Sequence, residues 1–424
     1  MDYRASILLY LELLFALALL WREGLLSARR RCVTAVLLTG LAFVLRYCCM
    51  TYETLDYQDW LRVWLDQLRQ LGPWHGLGQE IWSCNYNPPY LYFLALFTRS
   101  EVYELYLIKL LSILFDVLLA FFTMRIVGVF TDSPARRLIA FVGVLWLPTV
   151  FLNGALWGQC DSIYASFAVL SVYLMLTDRP GWSAAAIAVS ISFKLQGIFL
   201  LPVYPVYLLS RRMKLRHLLA FPAAYLVTLL PAVLAGRSLW ELVTLYYSNT
   251  STIGDGLNYN SSSLYALVDF SSLPNDAAAK IGIFLAFLLC AAVYVWALLR
   301  REELDNRRLM GAAVLFSVAV PFLLPHMHDR YFFMADVLSF ALAVTVPWMS
   351  VVPLLVSFGS FLGYYAYLNM RFLMPMRYGG AAMGLASLLT AVYVVLLLPP
   401  GPSPEAAVQP LLETEDSISD AISK

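Results

Sequence analysis

Five polar segments interrupt a mostly apolar chain, and each carries side chains able to do chemistry. Leu55-Asp56-Tyr57-Gln58-Asp59-Trp60 directly follows an apolar run. In a helix, Asp56 and Asp59 would share one face. A carboxylate at the end of such a run is partly desolvated yet ionised, which suits a general base. The alternative is a solvated pair of loop acids. Asn85-Tyr86-Asn87-Pro88-Pro89-Tyr90 leads through two prolines into a short apolar helix, as a turn or as the wall of an acceptor groove bearing Asn87. Asn153-Gly154-Ala155-Leu156-Trp157-Gly158-Gln159-Cys160-Asp161-Ser162 sets Gln159 and Asp161 beside a tryptophan, an arrangement that suits a sugar ring. Its glycines allow a backbone to approach a ligand closely. The plain alternative is a helix start capped by Asp161 or Ser162.

The last two segments are cationic. Phe193-Lys194-Leu195-Gln196 interrupts an apolar stretch. A lysine deep in lipid costs roughly 2.5–3.5 kcal/mol, so Lys194 calls for an anionic partner such as a lipid phosphate, or else snorkels at a span end. In Pro325-His326-Met327-His328-Asp329-Arg330-Tyr331, Arg330 is a strong phosphate donor, with His326 or His328 as partner. The two histidines could hold zinc, but no further ligand cluster accompanies them, so no metal is expected. Asp116, inside an apolar run, should face the bundle interior and pair with a cation or a polar cluster.

The elements that position these residues must be membrane spans. Of 424 residues 61% are apolar and 13% charged, the net charge is +1, and mean hydropathy is +0.70. A soluble chain is nearer a quarter charged. Soluble enzymes, disordered chains and nucleic-acid binders are therefore excluded, and an all-α polytopic membrane protein is expected. Apolar runs fall at about 5–21, 33–50, 105–127, 137–152, 160–177, 182–193, 195–209, 216–235, 280–299, 309–324, 331–347, 350–368 and 379–398, roughly thirteen spans. The basic clusters at 22–31, 125–137, 211–216 and 300–308 fall on one side, the cytoplasmic one, if the ten apolar residues of 88–98 do not cross. The N-terminus and the long loops 51–104 and 236–279 then lie outside. Cys84 and Cys160 share that side and read as free thiols. Two sequons, at Asn249 and Asn260, matter only in a eukaryotic source.

Together these motifs resemble those of the GT-C superfamily of polyprenyl-phosphate-sugar-dependent glycosyltransferases. The nearest likeness is to the bacterial mannosyltransferase-like group related to the GPI-anchor mannosyltransferases. The likeness covers roughly residues 33–335 and rests on the order of Asp-Tyr, Asn-Pro-Pro-Tyr, Trp-Gly-Gln-x-Asp-Ser, Phe-Lys-x-Gln and His-x-His-Asp-Arg-Tyr-Phe. It implies a GT-C-like fold with membrane-associated helices in the first long outer loop, matched here by 88–98. Residues 1–32 would be an added N-terminal span and loop, 33–235 the module bearing the site, 236–398 variable C-terminal spans and 399–424 a disordered cytoplasmic tail. It further implies an inverting transfer of a hexose, mannose foremost, from a polyprenyl-phosphate donor to a glycan or lipid-linked acceptor. The active site would face outside the cytoplasm, at a bacterial plasma membrane or, in a eukaryote, the endoplasmic reticulum lumen. No Asp-x-Asp is present, so no divalent metal is assigned.

On this reading Asp56 is the base, and Lys194, Arg330, His326 and His328 hold the donor phosphate. Asp59, Asn87, Gln159, Asp161 and Gln196 bind sugar or acceptor. The partners are the lipid donor, the acceptor and the bilayer, with no nucleic acid. A lipid-linked glycan polymerase or ligase, which uses a pyrophosphate donor, and a lipid or sugar flippase are the alternatives.

Overall fold

The computed structural model describes residues 2–248 and 254–396, so the expected tail and the sequon at Asn249 lie outside the described residues. Among the described residues the chain is helical apart from a pair of two-residue parallel strands, Asn258–Tyr259 and Met327–His328. Among the described residues eight helices are long and apolar enough to cross a membrane, and a ninth span forms if the bent pair Pro134–Trp146 and Pro148–Trp157 counts as one. The other expected spans are the shorter apolar helices Asp161–Leu176, Pro180–Phe193, Leu195–Leu209 and Phe333–Thr345. A full crossing takes about 20 residues. By length and composition, eight or nine of the expected thirteen meet that measure among the described residues. The helix Pro88–Phe97 is 10 residues, roughly 15 Å, and too short to cross.

Burial separates core from rim. Asn306–Leu323 is 83% buried over its apolar window, and Leu215–Leu234 only 11%. The first two helices, Tyr3–Arg22 and Arg29–Cys49, are also mostly exposed and apolar, as lipid-facing helices are. Helix starts follow the chain chemistry. Ser133 and Asp305 accept from Arg136 N and Arg308 N, and proline opens the helices at 88, 134, 148 and 180, where no amide is needed.

Buried ion pairs lock the bundle. Asp116 accepts from Arg46 at 2.9 and 3.1 Å and from the Ser162 hydroxyl. Arg46 and Asp116 are both fully buried, so the cation anticipated for Asp116 is Arg46. Lys109 donates to the carbonyls of Cys49 (2.9 Å) and Tyr52 (2.6 Å), at and just beyond the end of the helix Arg29–Cys49. The basic segments gather at one end of the bundle: Glu23 pairs with Arg125 and Arg137, Arg212 with Asp178 and Asn306, and Arg211 with Glu302. The polar motifs gather at the other.

Candidate active site

Two π-helical segments and three interhelical turns build the site. The segment Tyr57–Leu61 is a π turn that follows Asp56. A π turn is wider than an α turn, so residues three apart leave a common face. Asp56 is therefore half-buried and aimed inward, while Asp59 is exposed. The expected shared face does not form. The second π segment, Leu152–Trp157, follows the bend of 46° at Pro148. It ends at Gly158, whose φ of +80° is left-handed and needs glycine. Its other glycine, Gly154, meets Ser112 and Asp116, not a ligand: a Cβ there would lie 3.0 Å from the Ser112 side chain.

Asp56 is held by three donors from two distant elements. Trp157 Nε1 (2.8 Å) and Gln159 Nε2 (2.6 Å) donate to Oδ2, and the Tyr367 hydroxyl (2.7 Å) donates to Oδ1. Thr54 Oγ1 ties the same strip to Trp157 O at 2.9 Å. Trp157 is fully buried, stacked on Tyr367 at 4.2 Å, with the Arg330 guanidinium 5.2 Å above its ring.

Arg330 sits among three carboxylates. Nη1 lies 3.7 Å from Asp56 Oδ2 and 3.6 Å from Asp329 Oδ1, and Nε lies 3.7 Å from Asp161 Oδ2. Those separations attract but are too long for hydrogen bonds. Arg330 Nε and Asp329 Oδ1 are buried without a hydrogen-bond partner. Lys194 is different. It occupies the extended break between Pro180–Phe193 and Leu195–Leu200, donates to Asp161 Oδ1, and lies 5.6 Å over the Tyr86 ring. Asp161, only 1% exposed, also accepts from Asn153 at 2.7 Å. It opens its helix after Cys160 and is not a side-chain cap. Lys194 and Asp161 thus form a buried pair behind Arg330.

Asp56, Asp329 and Arg330 border a cavity of about 690 Å³, of ligand-binding size. Asp56, Gln159, His328, Asp329, Arg330 and Tyr367 line its polar side. Trp60, Trp64, Tyr86, Tyr90 and Tyr259 line its aromatic side, where Trp64 and Tyr86 lie 5.5 Å apart. His328 stacks on Tyr259 at 4.7 Å. Burial, then Arg330 and Lys194, push the His328 imidazole down to about 4, so it is neutral at pH 7 and adds no positive charge. Burial pushes the Asp329 carboxyl up to about 7, with Arg330 opposing the shift.

Six expected site residues do not line the cavity: Lys194 and Asp161, which form the buried pair behind Arg330, and Asp59, His326, Asn87 and Gln196. Asp59 faces away. His326, at φ +60°, turns its Nδ1 to Gly256 O at 2.8 Å, because its backbone pairs with the 256–258 strip. Asn87 is fully buried and donates to the Tyr225 hydroxyl at 2.7 Å. Gln196 is buried beside Tyr331. Cys84 and Cys160 are free and line the cavity, and burial pushes the Cys84 thiol up to about 12. Among the described residues no group of three or more His, Cys, Asp or Glu side chains could hold a metal ion.

Sequence reasoning passed over Trp157, Tyr367 and Asp329 as site residues. Trp157 and Asp329 stood inside recognised motifs, whereas Tyr367 reaches Asp56 from 311 positions away with no local signal. No curated protein matches the chain. The sequence pattern of glycosyltransferase family 87 matches residues 85–325, more than half of the chain's length. The chain belongs to glycosyltransferase family 87 and is a membrane glycosyltransferase.

Proposed function

We propose that this protein is a GT-C enzyme that moves a hexose, mannose foremost, from a polyprenyl-phosphate donor to a hydroxyl of a glycan or lipid-linked acceptor, inverting the anomeric centre. The cavity would open outside the cytoplasm, and residues 1–32 would be an addition to the catalytic module. The observation that carries this reading is one carboxylate, Asp56, fixed by three donors on the wall that also presents Arg330.

Asp56 Oδ2 takes two hydrogen bonds and Oδ1 takes one, which leaves an acceptor position on Oδ1 for a substrate hydroxyl. The hydroxyl proton passes to Asp56 as its oxygen attacks C1. The C1–phosphate bond breaks, and its electron pair goes to a phosphate oxygen beside Arg330. An oxocarbenium-like transition state asks less of the base, because positive charge on the sugar acidifies the attacking hydroxyl.

The geometry narrows the expected roles. Arg330 is the cation the cavity offers to the phosphate, with His328 as a neutral partner. Lys194 acts through Asp161, and Gln159 orients Asp56. No substrate contact is assigned to His326, Asp59, Asn87 or Gln196. The aromatic wall suits a sugar ring, and the apolar helix Pro88–Phe97, whose Tyr90 lines the cavity, suits the lipid chain.

Purified protein in lipid nanodiscs should consume a polyprenyl-phosphate mannose or glucose, release the lipid phosphate and label an acceptor extract. Consumption of a pyrophosphate-linked donor alone would favour a polymerase or ligase. Movement of lipid without transfer would favour a flippase.

A further inference from the structure

Asp329 has no place in the transfer just described, yet it is the least satisfied carboxyl on the cavity wall. It is 4% exposed, and its Oδ1 accepts no hydrogen bond. Its neighbour Arg330 keeps a buried Nε–H with no acceptor. Two adjacent unpartnered groups, one acidic and one basic, border the same cavity, and they do not satisfy each other at 3.6 Å. An orphaned buried group of this kind costs free energy until a ligand completes it.

The charge around Asp329 comes from several elements. Asp56 faces it from the first long loop, Asp161 and Lys194 from the buried pair, and Arg330 and Tyr331 from its own turn. Tyr367 faces it from the helix Val351–Leu368. With Asp329 ionised, three carboxylates oppose two cations before any ligand binds. An anionic phosphate would then add to an existing excess of negative charge. With Asp329 neutral, the carboxylates and cations balance, and the carboxyl gains an O–H donor.

We propose that Asp329 receives the donor phosphate as a neutral acid, donating its O–H to a phosphate oxygen held by Arg330, so that donor and proton bind together. The proton comes from water and returns to it after the lipid phosphate leaves. This inference rests on the phosphate-donor reading above. It names the ligand class Asp329 selects: a phosphodiester monoanion approached by one neutral and one cationic donor.

The test is the affinity of reconstituted protein for a short-chain polyprenyl-phosphate mannose, and for its glucose counterpart, from pH 5.5 to 8.5. A phosphodiester does not itself titrate in that range. Wild-type affinity should be flat at low pH and fall with a limiting slope of about tenfold per pH unit once Asp329 ionises. Asp329→Asn keeps an N–H donor and should hold the low-pH affinity within about threefold while removing the pH dependence. Asp329→Ala should lose about tenfold or more at pH 5.5, as expected for one hydrogen bond to a charged group. A flat wild-type profile, or an Asn variant that keeps the wild-type slope, overturns the role of Asp329 and leaves the phosphate-donor reading intact. Failure of the wild type to bind either donor at any pH overturns both.

Discussion

Lys194 and Arg330 entered as equivalent phosphate ligands, and their surroundings separate them. Lys194 is neutralised by Asp161, whereas Arg330 lies at attractive but unbonded distances from three carboxylates. Removing one member of a buried pair leaves an uncompensated charge and costs about 3–5 kcal/mol. Lys194→Met should therefore lower thermal stability sharply, and adding Asp161→Asn should recover most of it, as read by melting in detergent. A Lys194→Met protein as stable as wild type, with donor binding lost, would make Lys194 a direct ligand instead. Arg330→Lys should reach only part of wild-type turnover, because a point charge cannot reproduce the guanidinium fork. Asp59→Asn should leave turnover within about twofold, as expected of an exposed site. Asp329 also links stability to pH. Its folded carboxyl titrates near 7, above the unfolded value, so the folded state binds more protons between them. Its stabilising protonation is complete at low pH and is lost as pH rises through about 7. Asp329→Asn should accordingly raise the melting temperature at pH 8 but not at pH 4, with each kcal/mol worth roughly 2–4 °C.

At the scale of elements, the site depends on irregular backbone. The π turns at Tyr57–Leu61 and Leu152–Trp157 aim Asp56 and Trp157 inward, and Gly158 turns the chain so that Trp157 and Gln159 donate to one oxygen. A side chain at the left-handed Gly158 costs roughly 1–2 kcal/mol. Gly158→Ala should lower both stability and turnover, since any relaxation of the turn moves two of the three donors to Asp56. Wild-type turnover in that variant would show that the donor geometry is dispensable. This is also where sequence reading stopped. Pro148, Gly158 and the break at Lys194 are visible in the chain, and so was the need for Asp116 to find a partner. Helical periodicity assumes α geometry, however, so it put Asp56 and Asp59 on one face when a π turn parts them. Tyr367 was illegible because only the packing of the last helices against the first loop brings it to Asp56.

For the whole molecule, composition alone gave the membrane class, and the spacing of basic residues sorted the loops into two sets. The ion pairs of Glu23, Asp178 and Glu302 join the basic loops at one end, while Asp56, Trp157, Lys194, Arg330 and Tyr367 meet at the other. With the native thiols replaced, single cysteines at Gln79 and Lys214 should label from opposite sides of sealed vesicles, with Gln79 on the side away from the cytoplasm. Labelling of both from one side would undo that arrangement. The central claim is that Asp56 takes the acceptor proton in a sugar transfer. Its most direct test is turnover of a polyprenyl-phosphate hexose by Asp56→Asn protein whose donor affinity is measured in parallel. Asparagine keeps the side-chain shape and can still accept hydrogen bonds through its carbonyl oxygen, but it removes the negative charge and basicity. The expected result is donor affinity within a few-fold of wild type and transfer reduced by about 10²–10⁴, the usual contribution of a general base. Turnover near the wild-type rate in that variant would contradict the account.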